Sequence, residues 1–365
     1  MKIDSKRKEQ FKKYAAAALA LCVLAVFYLG SAKLLSSGAP RVLFNVSQSE
    51  PSGELSKTVA SNSALAHPFF ARAAIALASF RAPVKTGWYS IEKGDTFFSL
   101  LTKLSSGEQA TSAFRIPEGF TSRQIFELLG KRDDLKHEAE DLSRDEAKAA
   151  GSESFQKILA FQNEIGEPAQ NGKSREASIE GLLAPDTYFY IVGQTDTKLL
   201  LRSVNQQRKI INEEWEKRKP AVNDVLHSRY EALILASVIE KESGVKADKH
   251  LISSVFHNRL RIGMPLQSDP TVIYGMGGRY RGNLTKADLR TPTPYNTYTM
   301  KGLPPTPICA PSRESINAAL QPADTKYLYF VARGDGSSEF SDNLQSHNQA
   351  VDKYQRSGIK NGGSK

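Results

Sequence analysis

The longest apolar run is YAAAALALCVLAVFYLGSA, nineteen residues from Tyr14 to Ala32 without a charge. A bilayer-crossing helix needs roughly twenty mainly apolar residues, so the run predicts a transmembrane helix over 14–32. The rival is a cleaved signal peptide, with small residues at Gly30, Ser31 and Ala32. Its apolar core is usually only about 7–15 residues long, which favours an uncleaved single-pass anchor.

Beyond the run, residues 33–66 mix Ser, Gly and Pro with scattered apolar positions and read as a tether or an entry strand. HPFFARAAIALASF predicts a helix over 67–80. Two similar units follow. The first has a strand from Gly87 to Ile91, a turn at Lys93-Gly94-Asp95, and a helix capped by Asp95 or Thr96 that runs to Lys103. The second has a strand, a turn at Pro117-Glu118-Gly119, and a helix capped by Thr121 or Ser122 that runs to Leu129. Residues 67–130 therefore predict a small α+β module. Residues 131–176 are dense in charge and poor in large apolar side chains, the pattern of an exposed helical or partly disordered insertion. From 177 to 357 helical patterns alternate with Gly/Pro turns, the longest helix running from Thr197 to Arg218. Residues 358–365 read as a flexible tail.

On a helix, YEALILASVIEKESG separates two glutamates. Glu242 lies three, four and seven residues after Ile239, Val238 and Leu235, on their apolar side. Glu240 falls with Leu233, Ala236 and Ser237 and takes a solvated address. Apolar neighbours and the negative end of a helix terminated by Gly244 would both raise the Glu242 pKa, while Lys241 points elsewhere. A carboxyl raised in this way is suited to general acid work. The plain alternative is a glutamate that reaches water from the last turn.

Downstream, Val255, Phe256, Leu260 and Ile262 predict a helix that ends at Gly263. Gln267, Ser268, Asp269, Thr271 and Tyr274 follow in a polar stretch, and Tyr295, Asn296, Thr297 and Tyr298 sit between proline-rigid turns. Amides, hydroxyls and rings gathered in loops suit a sugar-binding cleft, and they suit structural turns equally well.

Charge adds an orientation. The first thirteen residues hold six Lys/Arg against Asp4 and Glu9, contributing +4 of the formal net charge of +10. Positive flanks stay cytoplasmic, which places the rest of the chain beyond the membrane. The remainder has no basic stripe interleaved with aromatics, so nucleic acid is not an expected partner. Cys22 lies in the apolar run and Cys309 stands alone, leaving no intradomain disulfide. His250 and His257 share a helix face but lack ligand partners, so no metal is expected. No G-x-S-x-G, Walker or G-x-G-x-x-G pattern occurs, and no cofactor is expected.

The stretches ASVIEKES, NRLRIGMPLQSDPTVIYG, TPYNTYTMKGLPPTPI, YLYFVARGDGSSEFSDNLQSHN and EGLLAPDTYFY resemble the endolytic murein transglycosylases of the MltG (YceG-like) family. GWYSIEKGDTFFSLL with IPEGFTSRQIFELL resembles that family's LysM-like domain. The resemblance implies an α+β architecture: an N-terminal single transmembrane helix, a small LysM-like α+β module at 67–130 and a larger mixed α/β catalytic domain at 177–357. It implies an inner-membrane enzyme that cuts nascent peptidoglycan strands outside the cytoplasm and associates with peptidoglycan synthases. It places the catalytic acid on Glu242, the second glutamate of E-K-E-[TS], and Gln267, Asp269, Thr271, Tyr274, Tyr295, Asn296 and Tyr298 along the cleft. The chain departs from the family in its long insertion, and in Thr306 and Ser312 where small glycine-type positions are expected.

One carboxyl can serve a lytic transglycosylase as acid and then as base. A muramidase would use a second, for which Asp269 and Asp186 are candidates. A non-catalytic wall-binding scaffold is the alternative from another class.

Overall fold

The computed structural model describes residues 3–47, 57, 59–81, 84–138, 153–166, 178–242 and 245–356. The chain divides into two compact units: residues 1–112 with 189–194, and residues 113–188 with 195–365. The expected boundary at 130 is therefore displaced to 112.

In the first unit, helix α1 (Ile3–Ser31) contains the uncharged run as far as Ser31. Among the described residues, no helix is long and apolar enough to cross a membrane. Strand β1 (Val42–Val46) pairs antiparallel with β2 (Gly87–Ile91), with Phe44 opposite Tyr89. Helices α2 (Pro68–Arg81) and α3 (Phe97–Ser106) pack on each other. Leu34, Leu35, Val42, Phe44 and Leu65 are buried with Ile75, Tyr89 and Leu100 in one apolar cluster. The described part of residues 33–66 thus contributes apolar side chains to the core. Its alternating Val42, Phe44 and Val46 give the inward face of a strand, the second of the two expectations for this segment. Thr96 caps α3 through a capping box with Ser99.

In the second unit, β3 (Thr111–Ile116) pairs with β4 (Asp186–Ile191), and the division between the units falls within both strands. Thr121 caps α4 (Ser122–Leu129) through a capping box with Gln124. Helix α5 (Glu153–Ile165) corrects the reading of 131–176 as exposed: Phe155, Ile158, Phe161 and Ile165 are buried at i, i+3, i+6 and i+10. The rest of that insertion beyond 138, and the expected tail at 358–365, lie outside the described residues.

Helix α6 (Asp196–Glu216) leads to α7 (Arg229–Glu242), which is buried from Ala232 through Ile239. It packs most extensively on α11 (Arg313–Leu320), and also on α6, on α8 (Lys249–Arg261) and on α9 (Asp269–Met276). A helix surrounded on all sides has no solvated face, which decides the fate of its polar side chains. The polar stretch read as a loop is partly helical, because Pro270 in the first turn of α9 is already set for helix. Helix α10 (Lys286–Arg290) follows. A hairpin of β5 (Tyr329–Ala332) and β6 (Ser338–Ser341) and helix α12 (Leu344–Val351) complete the described fold.

Candidate active site

Helix α7 delivers Glu242 at its last described residue; Gly244, expected to end the helix, lies outside the described residues. Ser268 stands at the N-cap position of α9, where a serine usually accepts from the first-turn amides. Here it makes no such cap and instead donates its hydroxyl to Glu242 Oε1 at 2.5 Å. Burial pushes the Glu242 carboxyl up to about 7; the Ser268 hydrogen bond opposes this, the Asp269 charge adds to it, and Arg259 opposes it.

Glu242 borders a cavity of about 620 Å³ together with Gln267, Asp269, Tyr298, Arg259, Tyr329 and residues of α12. Tyr298 donates to Asp269 Oδ1 at 2.6 Å. Gln267 has φ +52°, the left-handed conformation. Its N–H donates to the Thr297 carbonyl at 3.0 Å, and the Ser268 N–H donates to Thr297 Oγ1 at 3.0 Å. Thr297 thereby sets the turn that aims Ser268.

The expected cleft residues separate into three groups. Gln267, Asp269 and Tyr298 meet Glu242 at the cavity. Thr271 and Asn296 do not line it and are wholly buried. Thr271 shares a hydroxyl contact of 2.8 Å with Thr297, and Asn296 Nδ2 donates to the carbonyls of Asp288, Leu289 and Thr291. These two are turn-builders, since small polar side chains inside a loop substitute for missing backbone partners. Tyr274 and Tyr295 also lie outside the cavity lining. Their rings meet at 5.0 Å, Tyr274 donates to Glu180 at 3.2 Å, and the Tyr295 hydroxyl contacts Thr306 at 2.9 Å. Thr306 thus has a partner that a glycine would lack.

Two glutamates depart from expectation. Glu240 is not solvated: its side chain is 7% exposed and pairs with Lys249 at 3.2 Å. It accepts from the Ser312 N–H at 2.9 Å and from the Ser312 and Ser315 hydroxyls at 2.5 and 2.6 Å. Burial raises its pKa, but those hydrogen bonds and the Lys249 charge bring it below the ordinary carboxylate value. Ser312 also caps α11, which explains its departure from the family pattern. Glu180 was overlooked. It is 2% exposed, accepts from the Ser122 N–H and hydroxyl and from Tyr274, and is pushed up to about 7 by burial.

Arg259 and Tyr329 also escaped sequence reasoning. A signal existed for Arg259, which lies three and four residues after the apolar Phe256 and Val255 and so shares their helix face. His250 and His257 each bond a carbonyl, of Gln321 at 2.7 Å and Ala319 at 2.8 Å.

The family model described as the YceG-like family matches residues 44–353. The chain belongs to the YceG-like family. Among its relatives, this YceG-like chain is 34% identical over 279 residues to the endolytic murein transglycosylase of Bacillus subtilis (strain 168), covering 74% of this chain and 73% of that one. It is 28% identical over 288 residues to the endolytic murein transglycosylase of Streptococcus pneumoniae (strain ATCC BAA-255 / R6), covering 73% of this chain and half of the pneumococcal protein. The fold is similar to the crystal structure of a YceG-like protein from Listeria monocytogenes. The TM-score is 0.53 at 26% identity, over 85% of this chain and 98% of that one.

Proposed function

We propose that this chain is a lytic transglycosylase that cleaves the bond between N-acetylmuramic acid and N-acetylglucosamine in peptidoglycan, with Glu242 as acid and then base. The observation that carries the reading is a half-buried carboxyl, raised to about 7, at the wall of a cavity lined by amide, carboxylate and phenol side chains. The names of the relatives in Bacillus and Streptococcus support the substrate class.

Protonated Glu242 gives its proton to the glycosidic oxygen as the C1–O bond breaks and positive charge develops on the muramoyl ring. The departing sugar leaves as an alcohol, and Glu242 becomes a carboxylate. The Ser268 hydroxyl and the Arg259 charge both favour that ionised form. The carboxylate then takes the proton of the muramoyl C6 hydroxyl while O6 bonds to C1. The 1,6-anhydro ring closes, no water is consumed, and Glu242 is an acid again.

Asp269 shares the cavity and its charge acts on Glu242, which makes a two-carboxylate hydrolysis the second reading. The Tyr298 hydroxyl already engages Asp269, which favours the first. Asp186 is exposed on β4 and borders no part of this cavity.

We also assign residues 14–32 as a single-pass inner-membrane anchor with the basic tail cytoplasmic, supported by the uncharged run and the charge ahead of it. The LysM-like module would hold glycan strands, and a peptidoglycan synthase would be a partner. Carbonate extraction that released the chain from membranes would refute the anchor, and a pull-down without any synthase would refute the partner.

The deciding experiment incubates the full chain in detergent with peptidoglycan and analyses the products by mass spectrometry. Ends in 1,6-anhydro-muramic acid are expected. Reducing ends would mean hydrolysis, and intact strands would mean a scaffold.

A further inference from the structure

Arg259 is 5% exposed and lines the cavity beside Glu242. Its Nε donates to the Leu328 carbonyl at 2.7 Å and its Nη1 to the Leu266 carbonyl at 2.6 Å, with Gln267 Oε1 at 3.5 Å from Nη1. The guanidinium lies 5.4 Å from the Tyr329 ring centroid. These contacts fix the group without balancing its charge. Among the described residues no carboxylate forms an ion pair with Arg259, and Nη2 donates to none of them.

This arrangement differs from that of Lys249, the other buried cation among the described residues, which faces Glu240. A buried cation is ordinarily matched by an anion, because neutral carbonyls only partly offset its lost hydration. Glu242 acts on Arg259 through its charge only when ionised, and it forms no ion pair with it. It bonds Ser268 instead, and a protonated acid ready to give its proton carries no charge to offer. The open side of Arg259 is the cavity itself, so the missing acceptor belongs to whatever occupies that space. A guanidinium presents a planar, fixed fork suited to a carboxylate or carbonyl oxygen.

We infer that Arg259 is a substrate-recognition residue whose Nη2 takes an acyl oxygen of the bound glycan, in the cavity beside Glu242. The inference rests on the glycan-cleaving reading above. The acyl oxygen has two sources in such a strand: the lactyl group of the muramoyl sugar and the acetamido groups of both sugars. Arg259 thereby ties recognition of the acylated sugar to the position of the acid that cleaves it, and Gln267, in contact with both the guanidinium and the cavity, extends the same contact surface.

The test measures binding by calorimetry on the full chain in detergent, in a Glu242→Gln background so that no probe is consumed. The probes are a muramoyl-containing tetrasaccharide with a free lactyl carboxylate, the same probe with that carboxyl reduced to the alcohol, N-acetylglucosamine tetramer and cellotetraose. Arg259→Lys is expected to weaken binding about tenfold or more for probes that carry the recognised oxygen, the scale of one charge-assisted hydrogen bond. Weakening confined to the free-carboxylate probe assigns the lactyl group. Weakening shared by the acetylated tetramer assigns the acetamido group. Unchanged affinity of a folded Arg259→Lys protein for every probe overturns the inference, as does equal affinity of the parent for the muramoyl tetrasaccharide and cellotetraose. Should the lysine variant fail to fold, Arg259→Gln, which keeps donors for the Leu266 and Leu328 carbonyls, takes its place under the same criteria. Failure of the cleavage reading shows separately, as absence of anhydro-ended products from the unsubstituted enzyme.

Discussion

Glu240 and Glu242, separated by one residue on α7, carry carboxyls shifted in opposite directions. Loss of hydration raises the pKa of both, so burial alone does not distinguish them. Glu240 meets a lysine and three donors from Ser312 and Ser315, whereas Glu242 meets the Ser268 hydroxyl and the negative charge of Asp269. The first is a fully matched anion that ties α7 to α8 and α11. The second is held as an acid.

Glu242→Gln is expected to lower cleavage about 10²–10⁴-fold, the usual contribution of general acid–base groups. Its effect on stability follows from linkage. The folded pKa of about 7 exceeds the ordinary 4.5, so the folded state retains a proton that the unfolded state has lost. Stability from this group is complete below 4.5, declines as pH rises and is lost above about 7. The difference corresponds to about 3 kcal/mol at roughly 1.4 kcal/mol per unit. Melts should therefore show Glu242→Gln more stable than the parent at pH 8 and level with it at pH 4.5. A variant less stable at pH 8 would contradict the environment described here.

Glu240→Gln should behave in the opposite way, because it strands Lys249 in a closed site. Breaking one half of a buried pair costs about 3–5 kcal/mol. Removing both charges with Glu240→Gln and Lys249→Met should recover most of that loss in a denaturant double-mutant cycle. The folded pKa of Glu240 is lowered, so its stabilisation is present above the ordinary carboxylate value and fades as pH falls through the folded one. Additive losses in the cycle would mean that the pair does not act as a unit.

The pH–rate profile tests the acid directly. The proton-bearing form of Glu242 disappears as pH rises through about 7, so kcat/KM for strand cleavage should fall about tenfold per unit above that point. Asp269 raises the Glu242 pKa, so Asp269→Asn should move this limb to lower pH. A limb that stays in place would show that Asp269 does not act on the acid through its charge.

The extent to which the sequence revealed this site depended on how each residue's partners are distributed along the chain. Local signals read well. The capping threonines at 96 and 121 announce their helices within three residues, and the wheel placed Glu242 correctly because its apolar companions lie within seven. The wheel misplaced Glu240 because an amphipathic reading assumes water on one side, and the face of α7 that carries Glu240 is closed by α11, whose cap Ser312 lies 72 residues away in sequence. Glu180 was invisible for the same reason: Ser122 and Tyr274, which give its burial meaning, lie 58 and 94 residues distant. Asn296 and Thr271 show the reverse error. Their residue types suit a sugar cleft, but their acceptors are nearby backbone carbonyls, so the same polarity builds turns instead.

Gln267 supports the geometry of the site from a strained position. At φ +52° a side chain crowds the backbone, and only glycine adopts that conformation without cost. The conformation persists because Thr297 fixes the turn on both sides, holding the Gln267 and Ser268 amides. Gln267→Gly relieves the strain while adding freedom to the unfolded chain, so stability should stay within about 1 kcal/mol of the parent. That variant keeps Ser268 on Glu242 and leaves the pH limb where it is, while loss of the amide from the cavity wall raises KM. Gln267→Val places a β-branched residue where φ is positive and should cost about 1–3 kcal/mol. The turn yields, Ser268 is drawn from Glu242, and a bond that lowers the carboxyl pKa is lost, so the limb moves to higher pH. Melting curves and pH profiles of the two variants separate these effects. An unmoved limb in a folded Gln267→Val protein would show that the turn does not set the Ser268 contact.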